Sequence, residues 1–235
     1  MIHQKSISTY ISSIIISLIL LNLPQAAMAQ KDVKEDKDVP FFNGLALSVD
    51  LVGPAEMIIS DYGQYEAGLK INLKDRYFPT VELGLGKADH DDDVTQICYK
   101  TSAPYAKVGI DFNILKNKHD IYRLYAGARY AFTSFEYDLS HPAMTDPVWG
   151  SEAEYSANDV KCSYHWFEAL VGVDAKIWGP LHLGWSLRYK SRLSNKDGKV
   201  GEAWYVPGFG KGGGSNIGGT FNISIDIRWC KQLKI

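Results

Sequence analysis

The sequence predicts an all-β fold, an eight-stranded antiparallel transmembrane β-barrel with both termini in the periplasm. Three observations carry this. Apolar and polar residues alternate with a period of two from residue 43 to residue 229, and a sustained 3.6-residue period is nearly absent. The connections alternate between long and short, as they do in barrels with long external loops and short periplasmic turns. The chain also opens on an export segment.

That segment carries Lys5, an apolar run over residues 11–23 and the small-residue site Ala27-Met28-Ala29. It reads as a signal peptide over residues 1–29. The alternative is a retained anchor, but the run is shorter than the roughly 20 residues that span a bilayer. The charged stretch KDVKEDKDVP then reads as a periplasmic tether over residues 30–42, and the barrel as residues 43–235.

The first strand sets Leu45, Leu47, Val49 and Leu51 on one face, and the second sets Tyr65, Ala67, Leu69, Ile71 and Leu73. Val81, Leu83 and Leu85 mark the third, and Ala106, Val108, Ile110 and Phe112 the fourth. The fifth carries Tyr122, Leu124, Ala126, Ala128 and Tyr130, and the sixth Phe167, Ala169, Val171, Val173 and Ala175. Leu181, Leu183, Trp185, Leu187 and Tyr189 define the seventh, and Phe221, Ile223, Ile225, Ile227 and Trp229 the eighth. Long connections at 52–63, 87–102, 136–163 and 191–216 alternate with short ones at 74–76, 113–120 and 178–180.

Periodicity leaves open which face points outward. A soluble lipocalin-like barrel would turn the apolar stripe inward. The polar stripe, however, is rich in glycine, serine and charges of both signs, and aromatic residues gather near strand ends. Tyr77, Phe78, Phe112, Tyr122, Trp178 and Trp229 would form the periplasmic rim, and Tyr65, Tyr130, Phe167 and Tyr189 the outer one. Leu47, Leu69, Val171, Leu183 and Ile225 would then meet lipid.

With the apolar stripe outward, the lumen receives Asp50, Glu66, Lys70, Glu82, Lys107, Asp111, Arg123, Arg129, Glu168, Asp174, Lys176, Arg188, Asp226 and Arg228, seven of each sign. Buried charges persist when paired, so the set reads as an internal ion-pair network, with an ion path as the alternative. An eight-stranded lumen is just wide enough for side chains, which argues against a diffusion pore.

Near balance of 25 Lys+Arg and 27 Asp+Glu removes the basic field that nucleic acid requires. The loop KADHDDDV places Asp89, Asp91 and Asp93 near one another, weak candidates for calcium that match no EF-hand spacing and read equally as a solvated loop. Cys98 and Cys162 both approach the outer rim and are candidates for a disulfide; Cys230 would lie at the other end as a free thiol. Trp204, Tyr205 and Phe209 form a candidate docking surface in the last long loop, or pack down on the rim. The sequence contains no GxSxG or HExxH and no phosphate-cradling motif, and the histidines are scattered. No enzyme activity and no cofactor are expected.

The segments QYEAGLKINL, VELGLGKA, YAKVGIDFNIL, RLYAGARYAF, EALVGVDAKIWGPLHLGWSLRYKSRL and FNISIDIRW resemble a Bacteroidota family of outer-membrane β-barrel proteins, a domain of unknown function. In architecture alone the chain resembles the small OmpX- and OmpA-like barrels. The terminus WCKQLKI departs from the terminal aromatic many such barrels carry. The resemblance implies a non-enzymatic barrel of the cell envelope, in contact with outer-membrane lipid. Its leading role would be that of an accessory or structural subunit of protein-insertion, secretion or uptake machinery, with outer-membrane or periplasmic proteins as partners. The alternatives are a stand-alone adhesion or envelope-stability barrel, and then a narrow channel or lipid-modifying enzyme.

Overall fold

The computed structural model describes residues 40–118, 120–145, 148–150 and 152–227. The expected signal peptide, most of the tether, Arg228, Trp229 and Cys230 lie outside the described residues.

Eight long strands form one sheet that closes on itself: β1 (Phe42–Asp50), β2 (Tyr62–Leu73), β3 (Tyr77–Asp91), β4 (Cys98–Asn113), β5 (Tyr122–Thr145), β6 (Glu152–Trp178), β7 (Leu181–Lys196) and β10 (Ser215–Ile227). Each is antiparallel to its neighbours, and β1 closes the ring against β10. Two further strands, β8 (Tyr205–Val206) and β9 (Gly210–Lys211), form a small hairpin between β7 and β10. Among the described residues one helix, α1 (Val52–Ile59), follows β1.

The register fixes the tilt of the barrel. Leu47 pairs with Leu69, and the ladder continues through Val81, Val108, Tyr130, Phe167 and Ser191 to Ser215. Extending the β1–β10 pairing, in which Leu47 faces Ile225, would return the ladder to β1 ten residues beyond Leu47. That stagger tilts the strands, and a ring of only eight of them encloses a lumen of a width that side chains fill.

The two faces are inverted relative to a soluble barrel. Leu47, Val49, Val81, Leu83, Val108, Val171, Leu187 and Ile225 are exposed, while Asp50, Glu66, Glu82, Lys107, Asp111, Arg129, Glu168 and Arg188 are buried. Tyr77, Phe112, Tyr122 and Trp178 sit exposed at the short-turn end, and Tyr65, Tyr130, Phe167 and Tyr189 toward the other. Phe78 departs from the expected rim: even-numbered residues of β3 point inward, so its ring is buried, with the Arg123 guanidinium 5.3 Å from its centroid.

Several strands run well past their apolar stripes. Residues 136–163, expected as a loop, are largely the far half of the β5–β6 hairpin, and much of 87–102 belongs to β3 and β4. These extensions carry the alternation onward with polar residues on the outer face. Their backbone continues to pair.

Candidate functional site

The interior is filled in three layers along the barrel axis. At the short-turn end, the Arg123 guanidinium lies 3.0 Å from Asp226 and 3.9 Å from Asp174. The His182 ring bridges the same two carboxylates, with Nδ1 2.7 Å from Asp174 and Nε2 3.1 Å from Asp226. The strands set this up: Arg123 faces Asp174 across β5–β6, and His182 neighbours Asp174 across β6–β7.

The middle layer holds four cations against four anions. Lys107 Nζ lies 2.9 Å from Glu66 and 3.0 Å from Glu168. Arg188 spans the lumen, reaching Glu82 at 2.9 Å, Glu66 at 3.0 Å and Glu168 at 3.4 Å. Arg129 joins Asp111 at 2.7 Å and Glu82 at 3.4 Å, and Lys70 completes the set at 3.3 Å from Asp111. Remaining acceptor capacity is met by Tyr105, whose hydroxyl donates to Glu66 at 2.8 Å, and by Trp166, whose Nε1 donates to Glu168 at 2.8 Å. Such a cluster is stable because its charges neutralise one another in ion pairs, and removal of one partner is costly.

Above it lies an aromatic layer. Tyr99, Tyr105, Phe135, Tyr137, Tyr164 and Trp166 point inward from β4, β5 and β6 and pack on Tyr205, Val206 and Phe209 of the last loop. The loop therefore turns into the barrel and plugs it. Tyr205 is 2% exposed and Phe209 fully buried, so neither offers an external docking surface; Trp204 is half-buried, stacked on His90 with ring centroids 4.1 Å apart.

Polar contacts fasten the plug. The Tyr99 hydroxyl donates to the Tyr205 carbonyl at 2.7 Å, and the Tyr205 hydroxyl to the Gly63 carbonyl at 3.0 Å. Lys190 Nζ donates to the carbonyls of Gly208 at 2.8 Å and Phe209 at 3.1 Å. Gly208 has φ +82° and lies against the Tyr105 ring, so a side chain would be both strained and crowded there.

The other expected sites come apart. Cys98 and Cys162 are both free thiols. Cys98 points outward from β4, opposite Ser140, whereas Cys162 points inward from β6, opposite Phe135, so opposite faces of the sheet separate the two sulfurs. Asp89 is ion-paired to Lys100 at 2.8 Å and faces outward like Asp91. Asp93 is exposed. Among the described residues, no group of three His, Cys, Asp or Glu is placed to hold a metal ion. Lys176, expected in the lumen, is half-buried near its short-turn end.

Sequence reasoning missed Lys190 and the upper aromatic layer. Lys190 continues the alternation of β7 two residues beyond Arg188, a usable signal. The aromatic layer lies on strand extensions whose outward positions are polar, so the change of apolar stripe from outside to inside had no marker in the periodicity.

Three solved structures are similar to the chain. Neisserial surface protein A (NspA) gives 12% identity and a TM-score of 0.41, covering 80% of this chain and 98% of that one. The N-terminal β-barrel domain of Pseudomonas aeruginosa OprF gives 10% and 0.34, covering 79% and 99%. Ail, the attachment invasion locus protein of Yersinia pestis, gives 9% and 0.36, covering 79% and 94%. No curated protein matches in sequence. A family model matches residues 7–228, and on that match the chain belongs to the family described as Domain of unknown function (DUF6048).

Proposed function

We propose that this chain is a plugged, non-conducting outer-membrane β-barrel that serves as an accessory or structural subunit of a larger outer-membrane assembly. The observation that carries the reading is the inversion of its faces: a continuous exposed apolar wall surrounds eight ion-paired charges, seven of them buried. In water that arrangement exposes apolar surface and buries charge, both unfavourable, whereas in lipid the same wall is solvated. Three filled layers leave a scaffold's interior rather than a conduit. Every charged group of the middle layer is held by partners, none is free to transfer a proton to a substrate, and no reaction is assigned to it.

Gentle extraction into mild detergent, followed by native mass determination and identification of co-migrating polypeptides, tests the role. A particle of fixed composition is expected. A lone chain would favour an autonomous surface barrel, a reading supported by the β5–β6 hairpin, which reaches Thr145 and Glu152 and ends in Val148 and Trp149, 76% and 83% exposed. Recovery in the soluble fraction would contradict the membrane reading.

A further inference from the structure

The wall of the barrel is incomplete in its outer half. β1 stops at Asp50, whose carboxylate accepts from the backbone N–H groups of Gly53 at 3.0 Å, Val52 at 3.3 Å and Phe221 at 3.0 Å. Its last ladder pair is with Asn222, followed by one bond from Leu51 N–H to the Phe221 carbonyl. Beyond this, residues 217–220 of β10 remain paired to β7 but have no strand on their other side. Helix α1 occupies the gap unevenly. It packs closely on β2, where Gly53 lies against the Gln64 carbonyl and Gly63 against Met57, and stands away from β10.

Two adjoining spaces result. An outer groove of 390 Å³ runs along Leu51, Ala55, Ile59 and Phe221, and an inner cavity of 160 Å³ is lined by Gln64, Lys190, Lys211 and Asn216. Val52 and Glu56 border both, so the two spaces adjoin. A Cβ at Gly218 would meet nothing nearer than Lys190 Cε at 3.6 Å, and one at Gly219 nothing nearer than the Ser186 carbonyl at 3.8 Å. Both faces of β10 are thus uncrowded along the stretch that lacks a strand on its other side.

We propose that the gap between α1 and β10 is a lateral lipid site, taking an acyl chain of a phosphate-bearing membrane lipid along the groove and its headgroup into the cavity beside Lys190 and Lys211. The inference rests on the membrane reading above and deepens it. The groove is continuous with the exposed wall through Phe221, Ile217 and Ile225, the surface that lipid would cover. An open sheet edge at that depth leaves backbone N–H and C=O groups without ladder partners, which hydrocarbon does not tolerate uncovered. Lipid phosphate and ester oxygens accept hydrogen bonds from such an edge. Lys211, together with the charge of Lys190, whose donors already hold the Gly208 and Phe209 carbonyls, outweighs Glu56, the one acid lining the cavity, and so favours an anionic group.

The test is native mass spectrometry of the full chain extracted from membranes and exchanged into detergent with added phosphatidylglycerol or phosphatidylethanolamine. The parent chain is expected to retain one phospholipid. Ala55→Trp, which fills the groove from an exposed position, and Lys211→Glu, which reverses charge in the cavity, should each lower retention by roughly fivefold or more. Heat-dependent gel migration checks that both variants still form the barrel. A membrane-embedded barrel that retains no lipid, retains it equally in both variants, or holds a polypeptide in the gap overturns the site alone. A chain that fractionates with soluble proteins overturns the membrane reading and the site together.

Discussion

Arg188 shows how one side chain can hold the middle of the barrel. Its guanidinium meets carboxylates from β2, β3 and β6, three walls of the lumen. Arg188→Met would leave Glu66, Glu82 and Glu168 with Lys107 and Arg129 as their ion-pair partners, and should destabilise the barrel by about 3–5 kcal/mol in urea titrations in detergent. Unchanged stability would contradict the account of the ion cluster. Asp92, in the exposed β3–β4 connection, accepts from the N–H groups of Val94 at 2.8 Å and Thr95 at 3.2 Å, and these bonds hold its carboxyl below the usual carboxylate range. A depressed folded-state value means the turn is favoured while Asp92 is ionised and loses that support as pH falls through the folded value. Amide exchange at Val94 and Thr95, corrected for its intrinsic pH dependence, should show protection fall on acidification. In Asp92→Ala, protection should be lost at every pH. At this scale, alternation placed Glu168 and Arg188 on one face of their strands. It could not say that Trp166 supplies the indole N–H that Glu168 accepts, because such a bond depends on lumen geometry rather than spacing.

At the scale of elements, what decides the architecture is where strands stop. β1 ends early because Asp50 draws its carboxylate back onto three backbone N–H groups, starting α1 and closing the seam at once. Asp50→Ala orphans those donors and should cost about 1.5–3 kcal/mol, with amide exchange rising first in α1. The plug forms the second boundary. Replacing residues 199–213 by a short Gly/Ser linker should leave the barrel inserted and still non-conducting in planar bilayers, since the ion cluster below remains. A steady conductance in that variant would show that the plug alone closes the lumen. The eight alternating segments were legible because a two-residue period runs through the apolar stripe of each long strand. α1 was not, since eight residues make only about two turns, too few for a 3.6-residue period to stand out. Tyr205 and Phe209 were legible as an aromatic group but not as a plug. Their direction depends on Gly208 and on carbonyls captured by Lys190, contacts between segments with no local signature.

The whole molecule is a barrel turned inside out, apolar outside and charged within, extended on one side by the β5–β6 hairpin. On the proposed membrane reading, its insertion depends on the wall staying apolar. Ile225→Arg places a charge on the exposed face near mid-height and should oppose insertion by about 2–4 kcal/mol, read as loss of the heat-modifiable form. The central claim is that this wall faces lipid. The most direct measurement introduces single cysteines at Leu47, Val171 and Ile225 and at the inward Ser48 and Ser224, in a background with the native cysteines changed to serine. Spin labels report access to lipid-dissolved oxygen against a water-soluble relaxant in reconstituted vesicles. The account predicts that the three wall positions respond to oxygen and not to the aqueous reagent, while labels at the two inward positions are sheltered from oxygen. Ready access of the aqueous reagent to Leu47, Val171 and Ile225 would contradict it.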